Sequence, residues 1–122
     1  MMQRAWIAAG SLAGLLSVAM AAAAAHGLPQ RLAPEALQQV RNAVQMQGWH
    51  ALLLVAIGLY APAGGRLADA AGAACLLGLI LFCGAVYALA IGGLRLPGVA
   101  PAGGMLLMAA WALLGIAALR AR

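Results

Sequence analysis

The chain is short of charge. Charged residues make up 7% of its 122 residues, and only two are acidic, whereas soluble domains carry about 25% charged residues. A soluble fold must cover much of its surface with polar groups, and this composition cannot supply them. Hydrophobic residues reach 66%, so the sequence predicts a protein that folds in a membrane.

Lysine is missing altogether, and all seven basic residues are arginines. The net charge is +5, but the arginines are single residues scattered at the ends of apolar segments. Nucleic-acid binding depends on clustered basic side chains that follow a phosphate backbone. We therefore expect no nucleic-acid partner, and isolated arginines beside apolar spans suit lipid headgroups instead.

The constellations that catalysis needs are also missing. Glu35 and Asp69 do not form a carboxylate pair, and no nucleophile–base arrangement or phosphate-binding loop is present. Gly103-Gly104 follows no predicted strand, so it does not indicate a cofactor loop. The span centres lack the polar residues typical of transporters. We expect a protein that is not an enzyme, with a small transporter as the least favoured reading.

What the chain does have is four long apolar stretches, near residues 5–26, 48–63, 67–94 and 96–119. A helix needs about 20 residues to cross a membrane. The sequence therefore predicts one all-α domain over residues 1–122, a compact bundle of four transmembrane helices. Glycines should allow close contacts between the helices of this bundle. The glycines predicted to lie at such contacts are Gly10, Gly14, Gly72, Gly78 and Gly84. The Gly10–Gly14 pair fits either packing within the chain or homodimerisation.

The first stretch resembles a secretory signal, with Arg4 ahead of it and several small residues near Ala25. A signal's apolar region is typically about 7–15 residues long, whereas this run extends from Ala5 to Ala25. The length favours a retained span. Cleavage near Ala25, which would leave three spans, stays as the alternative.

A polar segment separates the first two stretches. Pro34 suits the start of a helix, and apolar residues then recur at helical spacing. The pattern predicts a short amphipathic helix over residues 34–46 in the membrane interface, with a change of direction at Gly48. Trp49 and Tyr60 then look like interfacial anchors at the two ends of span two.

Four crossings would place both termini on one side of the membrane. That side carries four arginines, Arg4, Arg66, Arg120 and Arg122, and the other carries three, Arg31, Arg41 and Arg95. Positive charge is enriched in cytoplasmic loops. We therefore expect a multi-pass protein with both termini in the cytoplasm.

Polar residues at one end of the bundle are the candidates for specific chemistry. His26 closes span one and His50 opens span two, so an antiparallel pair would bring both to the same membrane face, with Gln47 one turn before His50. They could bind a metal, carry a proton or hydrogen-bond a quinone headgroup, or they could simply tie helix ends together. Two histidines are too few for a structural zinc site, so no metal or cofactor is predicted.

The two cysteines, Cys75 and Cys83, lie eight residues apart in one apolar stretch. That spacing is about 12 Å along a helix, which is too far for a disulfide. We expect both to be small buried hydrophobic residues.

Four segments together resemble the domain-of-unknown-function 423 family of small membrane proteins, also called the UPF0382 type. This family includes bacterial inner-membrane proteins and mitochondrial transmembrane protein 256. The segments are Ala25–Leu28, Val44–Leu52, Leu81–Leu89 and Pro101–Gly104 with the later Trp111. The residues that match the family's pattern are His26, Gln47, His50, Gly84, Tyr87, Pro101, Gly103, Gly104 and Trp111.

The chain departs from the family's pattern where hydroxyls and aromatic rings are usual. Cys83 and Ala85 stand in place of serines, Ala100 in place of a threonine and Met46 in place of an aromatic residue, and residues 22–24 also differ. These departures argue against an indispensable hydroxyl and leave Gln47 and the two histidines as candidates. The resemblance implies a retained first span, four crossings and a location in the bacterial inner membrane. It implies no reaction.

The leading functional hypothesis is a non-enzymatic membrane protein, either an accessory subunit or a structural, lipid-interacting element. Its expected partners are membrane lipids and either further copies of itself or a membrane complex. The alternative is a protein that binds a small molecule, quinone or metal through His26, Gln47 and His50, with Tyr87 as a further polar candidate.

Overall fold

The computed structural model describes residues 2–121. Within that range it contains three long helices, a short 3-10 turn at Leu28–Gln30 and no strand. The long helices are α1 (Gln3–Ala25), α2 (Pro34–Gly92) and α3 (Val99–Arg120). Each is long and apolar enough to cross a membrane. The predicted all-α class is confirmed.

Helix α2 folds back on itself at Gly65. Its 59 residues keep helical dihedral angles except at Gly65, where φ is 61° and ψ is −142°, a conformation that glycine adopts at little cost. The Cys75 thiol donates to the His50 carbonyl oxygen at 3.6 Å, although 25 residues of straight helix would span about 37 Å. Helix α2 is therefore a helical hairpin, with a first half (residues 34–64) and a second half (residues 66–92). The break between the predicted apolar stretches 48–63 and 67–94 lies at this place.

Helix α1 lies antiparallel to the first half of α2. A methyl group at Gly10 would lie 2.7 Å from the Ala51 carbonyl oxygen, and one at Gly58 would lie 2.9 Å from the Gln3 carbonyl oxygen. Ser17 donates its hydroxyl hydrogen to a carbonyl of the first half of α2, at Val44, over 3.1 Å. Small residues thus let the two backbones approach closely along most of α1.

Helix α3 lies against the hairpin on its second half. A methyl group at Gly78 would lie 2.8 Å from the Gly103 carbonyl oxygen, and one at Gly103 would overlap the backbone nitrogen of Phe82. Among the described residues, α1 and α3 each contact α2 but not one another. The hairpin is therefore the centre of the fold, and the main core fills the space between its halves and the two outer helices, with Leu54, Ile57, Cys75, Leu107 and Ala110 almost fully buried.

The change of direction predicted at Gly48, after an interfacial helix over residues 34–46, does not occur. The helix continues through Gly48 without a break, because Gly48 faces Ser17 of α1 at a close approach rather than turning the chain. Val40 is fully buried, in a second apolar cluster with Ala24 and Ala90. The segment therefore packs within the bundle as the first part of α2.

Two further expectations also need correction. Trp49, expected at the end of a span, lies in the middle of the first half of α2, where 55% of it is exposed on the apolar outer surface. Of the five glycines chosen for close contacts, Gly84 has no atom within 4 Å of the position that a Cβ would take. Gly14 makes only an ordinary contact, at 3.8 Å from Ala51.

The chain turns between α2 and α3, close to the break between the predicted apolar stretches 67–94 and 96–119. Gly93 ends α2 with φ of 66°, and the Leu94 amide donates back to the Ala88 carbonyl oxygen at 3.0 Å. This is the hydrogen bond of a Schellman motif. Gly98, with φ of 78°, precedes the first turn of α3.

Candidate functional site

Gln47 joins three parts of the bundle. It lies in the first half of α2, is 6% exposed, and donates from Nε2 to the Ala13 carbonyl oxygen of α1 at 2.9 Å. Its Oε1 accepts a hydrogen bond from the Tyr87 hydroxyl, in the second half of α2, at 2.7 Å. One side chain thus connects α1 to both halves of the hairpin.

His50 lies one turn further along and connects the hairpin to α3. Its Nδ1 is 2.7 Å from the Met46 carbonyl oxygen, and its Nε2 is 3.1 Å from the Trp111 indole nitrogen. A carbonyl can only accept and an indole N–H can only donate, so Nδ1 carries the hydrogen and Nε2 accepts. The rings of His50 and Trp111 meet edge to face, with centroids 6.0 Å apart.

We call Gln47, His50, Tyr87 and Trp111 the polar cluster. His50 is 4% exposed, and both of its ring nitrogens are hydrogen-bonded to other groups of the protein. Interhelical hydrogen bonds between side chains stabilise helix packing in lipid. The cluster is therefore suited to holding helices together, and its histidine has no free nitrogen for a ligand.

Both cysteines are buried, as predicted, and each makes a further contact between the halves of α2. Cys75 donates to the His50 carbonyl oxygen at 3.6 Å and Cys83 donates to the Ala43 carbonyl oxygen at 3.5 Å. Both thiols are free. They add weak hydrogen bonds where the two halves of the hairpin approach each other.

The polar cluster lies beside the middle of α1. Gln47 is hydrogen-bonded to Ala13, which is 10 residues from the start of α1 and 12 from its end. At 1.5 Å per residue, these distances are about 15 and 18 Å. The hydrocarbon core of a bilayer is about 30 Å thick, so Gln47 lies close to its centre when α1 spans it.

His26 does not join the other candidates, so the expected pairing of the two histidines at one membrane face was wrong. His26 caps the C-terminal end of α1 and is exposed. It is 13 residues from Ala13, which is about 20 Å along a helix. The physical reason is that α2 begins to pack on α1 well before His50, so the antiparallel pairing places His50 beside the middle of α1.

Sequence reasoning missed two tryptophan contacts. Trp6 of α1 donates from its indole nitrogen to Asp69 Oδ1 at 2.9 Å, and Gly72 is close enough that a methyl group there would lie 2.5 Å from the indole ring. Trp111 donates to His50 in the same way. Asp69 and Trp111 were each noted in the sequence, but the pairing partner lies more than 60 residues away and carries no local signal.

A groove lies on the outer surface between α1 and the second half of α2. It has a volume of about 480 Å³. Apolar side chains line most of it, and Gln47 and Tyr87 of the polar cluster are also among its lining residues. Within residues 2–121, no three histidine, cysteine or acidic side chains are grouped as a metal site would need.

Long apolar helices packed through glycine, with the buried Gln47 and His50 of the polar cluster among them, define a helical membrane protein. A family model described as a protein of unknown function, DUF423, matches residues 20–104. The chain belongs to this family, as its resemblance in the sequence had indicated.

Relatives of known sequence agree with this assignment. The UPF0382 membrane protein SH2409 of Staphylococcus haemolyticus is 34% identical over 110 residues, which cover 89% of this chain and 90% of the relative. A UPF0382 membrane protein of Haemophilus influenzae is 32% identical over 83% of this chain and 82% of its own length. The UPF0382 inner membrane protein YgdD of Escherichia coli is 30% identical, over 90% of this chain and 86% of the relative. No solved structure matches the chain.

Proposed function

We propose that this chain is a non-enzymatic, multi-pass membrane protein that serves as a structural or accessory element of the membrane. The observation that carries the proposal is the polar cluster. The Gln47 amide oxygen and nitrogen and both ring nitrogens of His50 are hydrogen-bonded to other parts of the bundle. Polar side chains used in this way favour a packing role over a reactive one.

The proposed topology has four crossings, with α2 crossing twice. Its halves, residues 34–64 and 66–92, would reach about 46 and 40 Å as straight helices, against a hydrocarbon core of about 30 Å. The excess at the start of the first half leaves room for its first turns to lie at the headgroup level. The larger number of arginines on the side that carries the termini supports a cytoplasmic location for both termini. The Escherichia coli relative's name supports an inner-membrane location.

Labelling from outside the cell tests the topology. In a chain with Cys75 and Cys83 replaced by alanine, a membrane-impermeant maleimide should label Arg95→Cys in intact cells. It should label Arg66→Cys, at the hairpin turn, only after the membrane is opened. Labelling of both variants in intact cells would contradict four crossings with cytoplasmic termini.

Purification in a mild detergent tests the proposed role. We expect either a partner protein in constant stoichiometry or a stability that depends on added lipid, because nineteen large hydrophobic side chains are exposed among residues 2–121, most of them on the helices. A monomer whose stability is indifferent to lipid and that carries no partner would contradict the proposal. Metal bound to the wild-type chain and lost in His26→Ala would instead support the metal-binding alternative.

A further inference from the structure

The groove between α1 and the second half of α2 widens with distance from the close contact between Trp6 and Gly72. At the start of α1, Trp6 lies against Gly72, where no side chain would fit. Further along, the position of a Cβ at Gly84 has nothing within 4 Å. The resulting groove of about 480 Å³ falls within the range of small-molecule sites, about 300–1,000 Å³.

Gln47, whose side-chain amide is a hydrogen-bond donor, is one of the residues that line this groove. A glutamine amide nitrogen carries two hydrogens, and within residues 2–121 only one acceptor, the Ala13 carbonyl oxygen, contacts it. The Tyr87 hydroxyl donates to the other end of the same amide. An amide hydrogen without a partner in the hydrocarbon region is costly, so an acceptor that enters the groove would be stabilised there.

The depth of Gln47 in the membrane limits which class of ligand could reach it. The ester groups of a phospholipid lie at the edge of the hydrocarbon core, about 15 Å from its centre, whereas Gln47 bonds to the middle of α1. No charged side chain lines the groove. The acceptor must therefore belong to a neutral molecule that dissolves in the membrane interior.

We propose that this groove binds a carbonyl compound of the isoprenoid quinone class. One carbonyl oxygen accepts the second hydrogen of the Gln47 amide, and the apolar chain lies against Leu12, Leu16 and Ile80, which line the groove. This inference does not depend on the packing role proposed above, because a chain that bound no quinone would keep its polar cluster intact.

Two glycine substitutions separate the groove from the rest of the fold. Gly84→Leu fills the groove, and it adds a side chain where the structure has open space. Gly115→Leu is the matched control, since Gly115 is also a helical glycine with nothing within 4 Å of its Cβ position and lies outside the groove. Both changes remove a glycine from a helix, so neither is expected to unfold the chain.

Native mass spectrometry of the full chain in a mild detergent provides the test, with decylbenzoquinone as the probe and decylbenzene as a competitor without carbonyl groups. We expect one quinone per wild-type chain and per Gly115→Leu chain, binding at least tenfold weaker to Gly84→Leu, and no displacement by an equal concentration of decylbenzene. Equal binding to Gly84→Leu, or equal binding of decylbenzene, would overturn the proposal. A wild-type dimer that Gly84→Leu converts to a monomer would also overturn it, because a second copy of the chain would then occupy the groove.

Discussion

Removing the hydrogen bond between Tyr87 and Gln47 should weaken the bundle by a measurable coupling energy. The two atoms are 2.7 Å apart, the optimum for a hydroxyl donor, and Gln47 is 6% exposed. Interhelical hydrogen bonds in membrane proteins average about 0.6 kcal/mol and reach about 1.7 kcal/mol. For a short bond in the middle of the bundle we expect a coupling of about 1 kcal/mol.

A double-mutant cycle measures this coupling. Tyr87→Phe should lower the free energy of unfolding by about 1 kcal/mol and Gln47→Leu by about 2 kcal/mol, because the second change removes the bond to Ala13 as well. Unfolding is followed by loss of helical circular dichroism as SDS is added to mixed micelles. Tyr60→Phe, which removes a hydroxyl that makes no hydrogen bond to a described residue, is the control and should change the free energy by less than about 0.5 kcal/mol. A coupling within about 0.3 kcal/mol, the scatter of independent sites, would refute the reasoning.

Three further substitutions or treatments have expected outcomes. Gly103→Ala should lower the free energy of unfolding by about 1–3 kcal/mol in the same assay, because the added methyl group would overlap the backbone of Phe82. Gly104→Ala should be tolerated, because the nearest atom to its added methyl group would be 3.9 Å away. Equal effects of the two substitutions would contradict the contact between α3 and the second half of α2. Gly10→Ala should destabilise more than Gly14→Ala, since only Gly10 lies against a backbone carbonyl, and the reverse order would show that α1 packs through another face. Maleimide should modify neither Cys75 nor Cys83 until SDS unfolds the chain, because they are 0% and 5% exposed, and a mass increase in the folded protein would contradict their burial.

The membrane class and the approximate helices could be predicted because they follow from composition and from local signals. Gly65, Gly93 and Gly98 mark the places where the chain changes direction, and each has the positive φ that glycine permits. Such turns are encoded by the residues that form them. The breaks between the last three predicted apolar stretches therefore agree with the turns of the structure.

The position of the polar cluster could not be predicted, because it depends on how far the helices slide past one another. Reading residues 34–46 as an interfacial helix, with span two beginning only after Gly48, placed His50 at a membrane face. The structure instead pairs α1 with α2 from Val40 onwards, which moves His50 to the middle of the bundle. Helix register in lipid is set by contacts such as that of Gly10 with Ala51, which join distant parts of the sequence.

The glycine contacts could likewise be predicted only in part. Gly72 and Gly78 could be chosen as contact positions from composition, but Gly58 and Gly103 were not, and Gly84 was chosen although it faces open space. The periodicity of the sequence indicates on which face of a helix a glycine lies. It does not indicate which residue of another helix packs against that glycine. The groove at Gly84 therefore became visible only in three dimensions.

Nitrogen-15 NMR of His50 tests most directly whether the polar cluster is a packing element. The account predicts that Nδ1 carries the hydrogen and that Nε2 is an acceptor whose chemical shift changes in Trp111→Phe, with no response to added zinc. A hydrogen on Nε2, or a zinc-dependent shift shared by His26 and His50, would contradict it.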